Sequence, residues 1–141
     1  MNTYTILDTN VISETWKQHP DARVLDWFAE QWIEDLYVTS ITVAELYLGV
    51  RLLPEGSKRT RLARAVKGFC ARFVDRILVF DTAAALQYAA CAAQQRAHGR
   101  QIAVADGMIA GIALSLDATL VTRNVKDFEH TGVKLFNPWE Q

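Results

Sequence analysis

Short runs of β-branched and aromatic residues alternate with longer helix-like segments, and this alternation limits the fold more than any other feature. The predicted strands are Tyr4–Leu7, Leu36–Ser40, Ile77–Phe80, Thr119–Thr122 and Val133–Phe136. No hairpin dipeptide joins neighbouring strands before the last pair. Because parallel strands need a crossover, usually a helix, this order predicts an α/β fold with a mainly parallel central sheet of four to five strands flanked by helices.

The segments between the strands have the apolar periodicity and the end residues of helices. The predicted helices are Asp21–Ile33, Ile41–Leu53, a helix after Ser57, Ala83–His98 and Ala103–Leu116. Gly99 is suited to a left-handed cap, and a short turn of helix is expected around Asn124–Glu129. The 141 residues contain no linker-like tract, so we expect one domain over residues 1–141.

Targeting features are absent from the sequence. The first ten residues lack the charged and apolar regions of a signal peptide. The longest weakly charged stretch, Ile102–Leu116, is too short to cross a bilayer and contains Asp106. We therefore expect a cytoplasmic protein with no membrane partner.

Charge is distributed unevenly along the chain. The formal net charge is -1, but the segment from Arg51 to Arg76 has eight basic and two acidic residues, a net charge of +6, which leaves -7 elsewhere. A basic flank beside an acidic remainder suits a protein that binds a polyanion and concentrates carboxylates for metal. The alternative is an ordinary solvated amphipathic helix.

Three isolated carboxylates follow predicted strands or begin predicted helices. Asp8 follows the first strand, and Glu45 and Asp106 are lone charges within apolar helices. Two of them have simpler explanations: Asp8 as a helix cap, and Glu45 as a carboxylate paired with arginine or facing solvent. Since sites in parallel sheets lie at the carboxyl ends of the strands, the three acids are expected to converge there.

The type of ligand favours a hard cation. Carboxylate oxygens suit Mg²⁺ or Mn²⁺, whereas His19, His98 and His130 are too scattered to form a zinc site. Gly107 and Gly111 lie one helical turn apart beside Asp106 and permit close approach of a neighbouring element, although packing alone also explains them.

Five segments in this order resemble the PIN-domain ribonucleases, specifically VapC- or FitB-like toxins of type II toxin–antitoxin systems. They are ILDTNVISE, TSITVAELYLGV, VADGMIAGIA, TLVTRNVKDF and FNPWE, and the resemblance covers essentially the whole chain. It implies a three-layer sandwich and hydrolysis of RNA phosphodiester bonds by a Mg²⁺- or Mn²⁺-dependent endoribonuclease.

The resemblance also implies roles for particular residues. Asp8, Glu45 and Asp106 match the family's acidic metal ligands, with Thr9 and Asn10 as supporting hydrogen-bonding groups. The family's fourth acid falls where this chain has Asn124, which is expected to support the site from behind the ligands. Nearby Asp127 is the alternative for this acidic role, unless it serves only as a cap or surface charge.

Expected partners follow from the same resemblance. They are an RNA substrate contacted by the basic segment, a VapB- or FitA-like antitoxin seated in an apolar groove, and a second copy of the chain in a homodimer. The groove is expected to draw on Tyr47, Leu48, Leu52 and the helix containing Phe69 and Phe73. Apolar helix faces, such as the one containing Trp27 and Trp32, are available for the dimer, but the sequence does not name the interface.

Two other functions remain open from the sequence. A non-catalytic module would bind metal or RNA without cutting, given that the fourth acid is missing. A phosphohydrolase acting on small phosphoesters would also use strand-end aspartates with Mg²⁺. The aspartyl-phosphate version is disfavoured because Asp8-Thr9-Asn10 lacks a second aspartate two residues after the first.

Overall fold

The computed structural model describes residues 3–140 and contains a five-stranded sheet of order β3-β2-β1-β4-β5. The strands are β1 Thr5–Leu7, β2 Leu36–Thr39, β3 Ile77–Leu78, β4 Thr119–Val121 and β5 Lys134–Phe136. Every neighbouring pair is parallel. The predicted α/β class and parallel sheet are therefore confirmed.

Among residues 3–140, six α-helices connect and cover these strands. They are α1 Thr9–Glu14, α2 Ala22–Ala29, α3 Ser40–Arg51, α4 Ser57–Arg72, α5 Thr82–Ala97 and α6 Val104–Ser115. Short 3-10 turns lie at Ile33–Asp35, Val74–Arg76, Val125–Phe128 and Pro138–Glu140. Gly99 has a φ of 71°, the left-handed conformation expected after α5. Within residues 3–140, none of the helices has the length and apolar character needed to cross a membrane.

Most bounds agree with the predicted ones to within two residues, and the largest shortening is in β3, which keeps two of four predicted residues, and in α2. β3 ends at Leu78, opposite Thr39, because β2 stops there and the Thr39 side chain caps α3 by accepting a hydrogen bond from the Thr42 amide. Val79 lies beyond the last paired residue and is 62% exposed. Similarly, α2 ends at Ala29 because the buried stripe ends there, and Trp32 is 76% exposed.

Alternate residues of the central strands face opposite sides of the sheet and belong to different apolar cores. Ile6 and Leu120 pack in a core with α5 and α6. Leu7 and Val121 pack in a second core with α1, α2, α3 and α4. The sheet is thus the middle layer of three, as expected.

Two aromatic residues of the helix faces considered for partner binding are core residues. Trp27 is only 6% exposed and stacks on Phe136 at a centroid distance of 5.9 Å. Phe73 is 3% exposed and stacks on Phe69 at 4.4 Å. The face of α2 that contains Trp27 is therefore not available for a dimer interface, and Phe73 does not contribute to the surface of the groove.

Candidate active site

Asp8 lies directly after β1 and is fixed by hydrogen bonds on both carboxylate oxygens. Its Oδ1 accepts a hydrogen bond from the Thr9 amide at 2.8 Å. Its Oδ2 accepts bonds from the Thr122 hydroxyl at 2.8 Å and the Asn10 amide group at 3.4 Å. Asp8 is only 5% exposed and is also the N-cap of α1. Capping and a place in a carboxylate site are therefore compatible in this residue.

Thr122 is a site residue that the sequence analysis did not single out. β1 and β4 pair in parallel with Leu7 opposite Val121, so the residues that follow them, Asp8 and Thr122, come side by side. The Thr122 side chain is fully buried, donates to Asp8 and accepts a hydrogen bond from the backbone N–H of Asn124 at 3.0 Å. The only signal in the sequence that could have identified Thr122 as a site residue was its position at the end of a buried strand.

Glu45 reaches the same edge of the sheet from α3, which begins immediately after β2. The Thr9 hydroxyl donates a hydrogen bond of 2.8 Å to Glu45 Oε1. Since the Thr9 amide also donates to Asp8, one residue holds both carboxylates in place. Glu45 is half-buried, so it remains accessible to a ligand at this edge.

Asp106 lies in the first turn of α6, and packing of this helix against α5 fixes its position. A Cβ atom at Gly107 would lie 2.7 Å from Tyr88 Cε2, and one at Gly111 would lie 2.5 Å from the Ala84 carbonyl oxygen. Both glycines therefore permit the close approach that their spacing suggested. The half-buried Asp106 carboxylate has no side-chain hydrogen bond within residues 3–140.

Burial, followed by the charges of neighbouring carboxylates, raises the pKa values of Asp8, Glu45 and Asp106. Burial, followed by the charges of Asp8, Asp127 and Glu45, raises the pKa of Asp106 to about 6. Burial also raises the pKa of Asp8, despite the hydrogen bonds that lower it, and burial together with Asp8 raises the pKa of Glu45. Within residues 3–140, none of these four acids forms an ion pair. The site is therefore a concentration of negative charge without a compensating side chain.

The turn after β4 adds Asn124 and Asp127 to this region. The backbone N–H of Asn124 donates to the Thr122 hydroxyl, and the backbone N–H of Asp127 donates to the backbone carbonyl of Asn124 at 3.0 Å. Asp127 is close enough for its charge to raise the pKa values of both Asp8 and Asp106. Asn124 occupies the position at which the family has its fourth acid, and the carboxylate of Asp127, three residues later, lies near the other acids of the site.

The oxygen atoms of Asp8, Glu45 and Asp106 are the groups that could bind a metal ion at this edge of the sheet. Within residues 3–140, no three His, Cys, Asp or Glu side chains are arranged so that they could hold an ion as they stand. The converging groups are all oxygen donors, which Mg²⁺ and Mn²⁺ prefer, and a divalent cation would relieve their mutual repulsion. The donor chemistry fits such an ion, and binding would require the side chains to move closer together.

Known proteins match this chain over nearly its whole length. Residues 5–134 match the PIN domain family. VapC ribonuclease Y4jK from Sinorhizobium fredii is 43% identical over 136 residues, which cover 96% of this chain and 97% of that relative. Toxin FitB from Neisseria gonorrhoeae is 43% identical over 135 residues, which cover 95% and 97%.

The fold agrees with the sequence match. The crystal structure of FitAcB from Neisseria gonorrhoeae contains a chain that is 41% identical and superposes with a TM-score of 0.91, covering 97% of this chain and 99% of that chain. Both the sequence and the three-layer architecture thus support the resemblance on which the site was predicted. The chain therefore belongs to the PIN domain family and, within it, to the group that includes VapC and FitB.

Proposed function

We propose that this protein is an endoribonuclease that hydrolyses RNA phosphodiester bonds with Mg²⁺ or Mn²⁺ and acts as the toxin of a toxin–antitoxin pair. The observation that carries this proposal is the convergence of Asp8, Glu45 and Asp106, with raised pKa values and no ion pair within residues 3–140. The relatives named ribonuclease and toxin support the reaction and the biological role.

Asp8, Glu45 and Asp106 would hold the cation, with Asn124 or Asp127 in the fourth position. When bound, the ion would supply positive charge to the phosphate and would lower the pKa of a bound water, which favours deprotonation of that water for attack on phosphorus. Asp127 is the better candidate for a direct ligand because its carboxylate already acts on Asp8 and Asp106. The backbone N–H at Asn124 donates a hydrogen bond to Thr122, which in turn donates to Asp8, so residue 124 supports the site through its main chain.

Hydrogen bonds from neighbouring residues favour the ionised, metal-binding form of two of the acids. Donors on Thr9 and Thr122 favour the ionised form of Asp8, and the Thr9 hydroxyl does the same for Glu45. Asp106 lacks such a donor within residues 3–140, so its pKa of about 6 makes it the acid that limits cation binding as pH falls. Cleavage should therefore weaken below pH 6.

Helix α4 supports the choice of RNA as substrate. Its sixteen residues include six basic side chains and no acidic one. Within residues 3–140, none of these six forms an ion pair. Unpaired cations attract a phosphate backbone, and their contribution weakens as salt increases. This favours the polyanion interpretation of the basic segment over a merely solvated helix.

An antitoxin of the VapB or FitA kind is the proposed protein partner. Support comes from the name of toxin FitB and from the solved FitAcB structure. Tyr47, Leu48 and Leu52 of the predicted groove are exposed by 38%, 56% and 75% and offer apolar contacts for it. A homodimer remains a prediction, which light scattering on the purified protein would test, and Trp32 is the exposed residue available for it.

The test is cleavage of a mixed structured RNA by purified, antitoxin-free protein with Mg²⁺, Mn²⁺ or EDTA. We expect cutting only with metal, giving 5′-phosphate and 3′-hydroxyl ends. RNA binding without cutting would instead indicate a non-catalytic module. Hydrolysis of a small phosphoester but not of RNA would indicate a phosphohydrolase.

A further inference from the structure

Arg123 is an exposed cation at the same edge of the sheet as the carboxylates. It directly follows Thr122, whose hydroxyl donates a hydrogen bond to Asp8. The strand order places β4 on the side of β1 away from β2, so Arg123 lies on the other side of Asp8 from the end of β2, where the helix of Glu45 begins. This arginine has no part in the proposed cation site.

Hydrogen bonds hold the backbone of Arg123 on both sides. Its N–H donates to Asn10 Oδ1 at 3.1 Å, and its carbonyl accepts a bond from Asn137 Nδ2 at 3.5 Å. Asn10 also donates to Asp8 at 3.4 Å, so one side chain links the carboxylate to the arginine. Asn137 in turn accepts a bond from the Trp139 N–H at 2.9 Å. The position of the Arg123 backbone relative to Asp8 is therefore fixed.

The side chain of Arg123 lies on a buried aromatic ring. Its guanidinium carbon is 5.1 Å from the ring centroid of Trp139, a residue that is 4% exposed. The face of an indole ring attracts a cation, and a buried ring is a rigid support for it. Within residues 3–140, the Arg123 guanidinium forms no ion pair and no hydrogen bond. Its N–H donors are therefore available to a ligand.

Two acids near Arg123 are bound to other cations. Glu14 pairs with Lys17 at 2.9 Å, and Asp21 pairs with Arg23 at 2.9 Å. Hydrogen bonds from those partners chiefly lower the pKa of each acid, and the charge of Arg123 lowers it further. The guanidinium thus lies near two carboxylates without a direct contact that would neutralise it.

We infer that the Arg123 guanidinium binds the RNA phosphate next to the one that is cut. A guanidinium presents its donors as a planar fork that matches phosphate oxygens, and stacking on Trp139 restricts the motion of this fork. On the other side of Asp8, the basic helix α4 packs on α3. A strand that crosses the carboxylates therefore meets cations on both sides. This inference rests on the proposed function, because the cut bond must lie at the carboxylates.

A purely structural role would also explain the stacking of Arg123 on Trp139, and two variants separate the roles. Arg123→Met keeps a long side chain that can contact the ring but removes the charge and the donors. Arg123→Lys keeps the charge and loses the fork. The control, Lys134→Met, removes an exposed cation at the first residue of β5, at the opposite edge of the sheet. Thermal unfolding checks that each variant is folded.

Binding is measured by fluorescence anisotropy in EDTA, with a labelled single-stranded RNA of mixed sequence at several salt concentrations. We expect Arg123→Met to weaken binding about tenfold, as loss of one charge-assisted hydrogen-bonded contact does. It should also reduce the slope of log affinity against log salt by about 0.7. Arg123→Lys should keep the slope and lose only part of the affinity, and Lys134→Met should bind as the wild type.

Cleavage with Mg²⁺ shows whether the phosphate held by Arg123 is the reacting one. A neighbouring phosphate is held equally in the ground state and the transition state. Arg123→Met should therefore raise KM about tenfold and leave kcat unchanged. A fall in kcat with KM unchanged would place Arg123 on the reacting phosphate and overturn the inference.

Two binding results would also overturn it: unchanged affinity and slope in a folded Arg123→Met protein, or an equal loss in Lys134→Met. The two assays together separate this failure from that of the proposed function. A wild type that cuts RNA, with affinity and KM unchanged in Arg123→Met, rejects the role of Arg123 alone. A wild type that never cuts, with the tenfold binding loss intact in Arg123→Met, rejects the nuclease and leaves the phosphate contact standing.

Discussion

The carboxylate site and helix α4 carry opposite charges and are built in opposite ways. Asp8 is buried and accepts hydrogen bonds from Thr9, Asn10 and Thr122. The basic side chains of α4 lie mostly at the surface, without ion pairs within residues 3–140. Metal binding in the carboxylate site would depend on the position of each ligand atom, whereas RNA binding by α4 would depend on the summed charge of its side chains. Single substitutions should therefore have large effects in the carboxylate site and small ones in α4.

The largest effect is expected from Asp106→Asn. Residues that merely support metal ligands already change affinity or activity by about 10–100-fold, so loss of a ligand should lower metal-dependent RNA cleavage more than about 100-fold. Relief of carboxylate repulsion should leave the melting temperature unchanged or higher. The control is Asp117→Asn, which removes a carboxylate that is ion-paired with Lys134 and has a φ of 52°, a conformation asparagine tolerates. Full activity of Asp106→Asn would remove Asp106 from the site.

Gly111→Ala tests whether helix packing positions the carboxylate site. Its Cβ atom would lie 2.5 Å from the Ala84 carbonyl oxygen, so α6 must shift, at a cost of about 1–3 kcal/mol in unfolding free energy. Gly68→Ala, which meets nothing within 4 Å, should stabilise α4 by up to about 1 kcal/mol. Urea unfolding measures both. Equal stability of the two variants would show that the packing of α5 on α6 accommodates an added methyl group.

Helix α4 should respond to removal of charge through salt dependence. The double variant Arg59→Gln/Arg64→Gln is expected to weaken RNA binding several-fold. It should also reduce the slope of log affinity against log salt by about 0.7 for each phosphate of a single strand that is no longer neutralised. The control Arg96→Gln/Lys134→Gln removes the same charge from other elements. Equal slopes for the two double variants would show that α4 has no special place in RNA binding.

The smallest effect is the pH dependence of stability in metal-free protein. The pKa of Asp106 is raised from 3.8 to about 6, so folding favours its protonated form. This contribution is complete below about pH 4 and is lost as pH rises through about 6. Melting temperatures across this range should therefore fall more in the wild type than in Asp106→Asn. Identical pH profiles would indicate that neither burial nor the neighbouring acids raise the pKa of Asp106.

Much of the fold and the positions of the three acids could be predicted from the sequence. Alternating strands and helices identify a parallel sheet, and Asp8 directly after a strand must lie at its carboxyl edge. Glu45 and Asp106 were conspicuous because each is a lone charge in an apolar helix. Local patterns were sufficient for these features because each depends on neighbouring residues.

The remaining features depend on contacts between distant residues. Thr122 meets Asp8 only because β1 and β4 pair in one particular register, across 114 positions of sequence. Burial of Trp27 likewise depends on Phe136, from the far end of the chain. The sequence alone does not specify such pairings, so it could not identify the Asp8–Thr122 bond or the inward face of α2.

The central claim is that the carboxylates at the sheet edge form a divalent cation site. Titration calorimetry of Mn²⁺ into wild-type, Asp106→Asn and Asp117→Asn proteins tests it most directly. The account predicts that the wild type and Asp117→Asn bind Mn²⁺ alike and that Asp106→Asn binds it much more weakly or not at all. Equal binding by all three proteins, or none by the wild type, would contradict the claim.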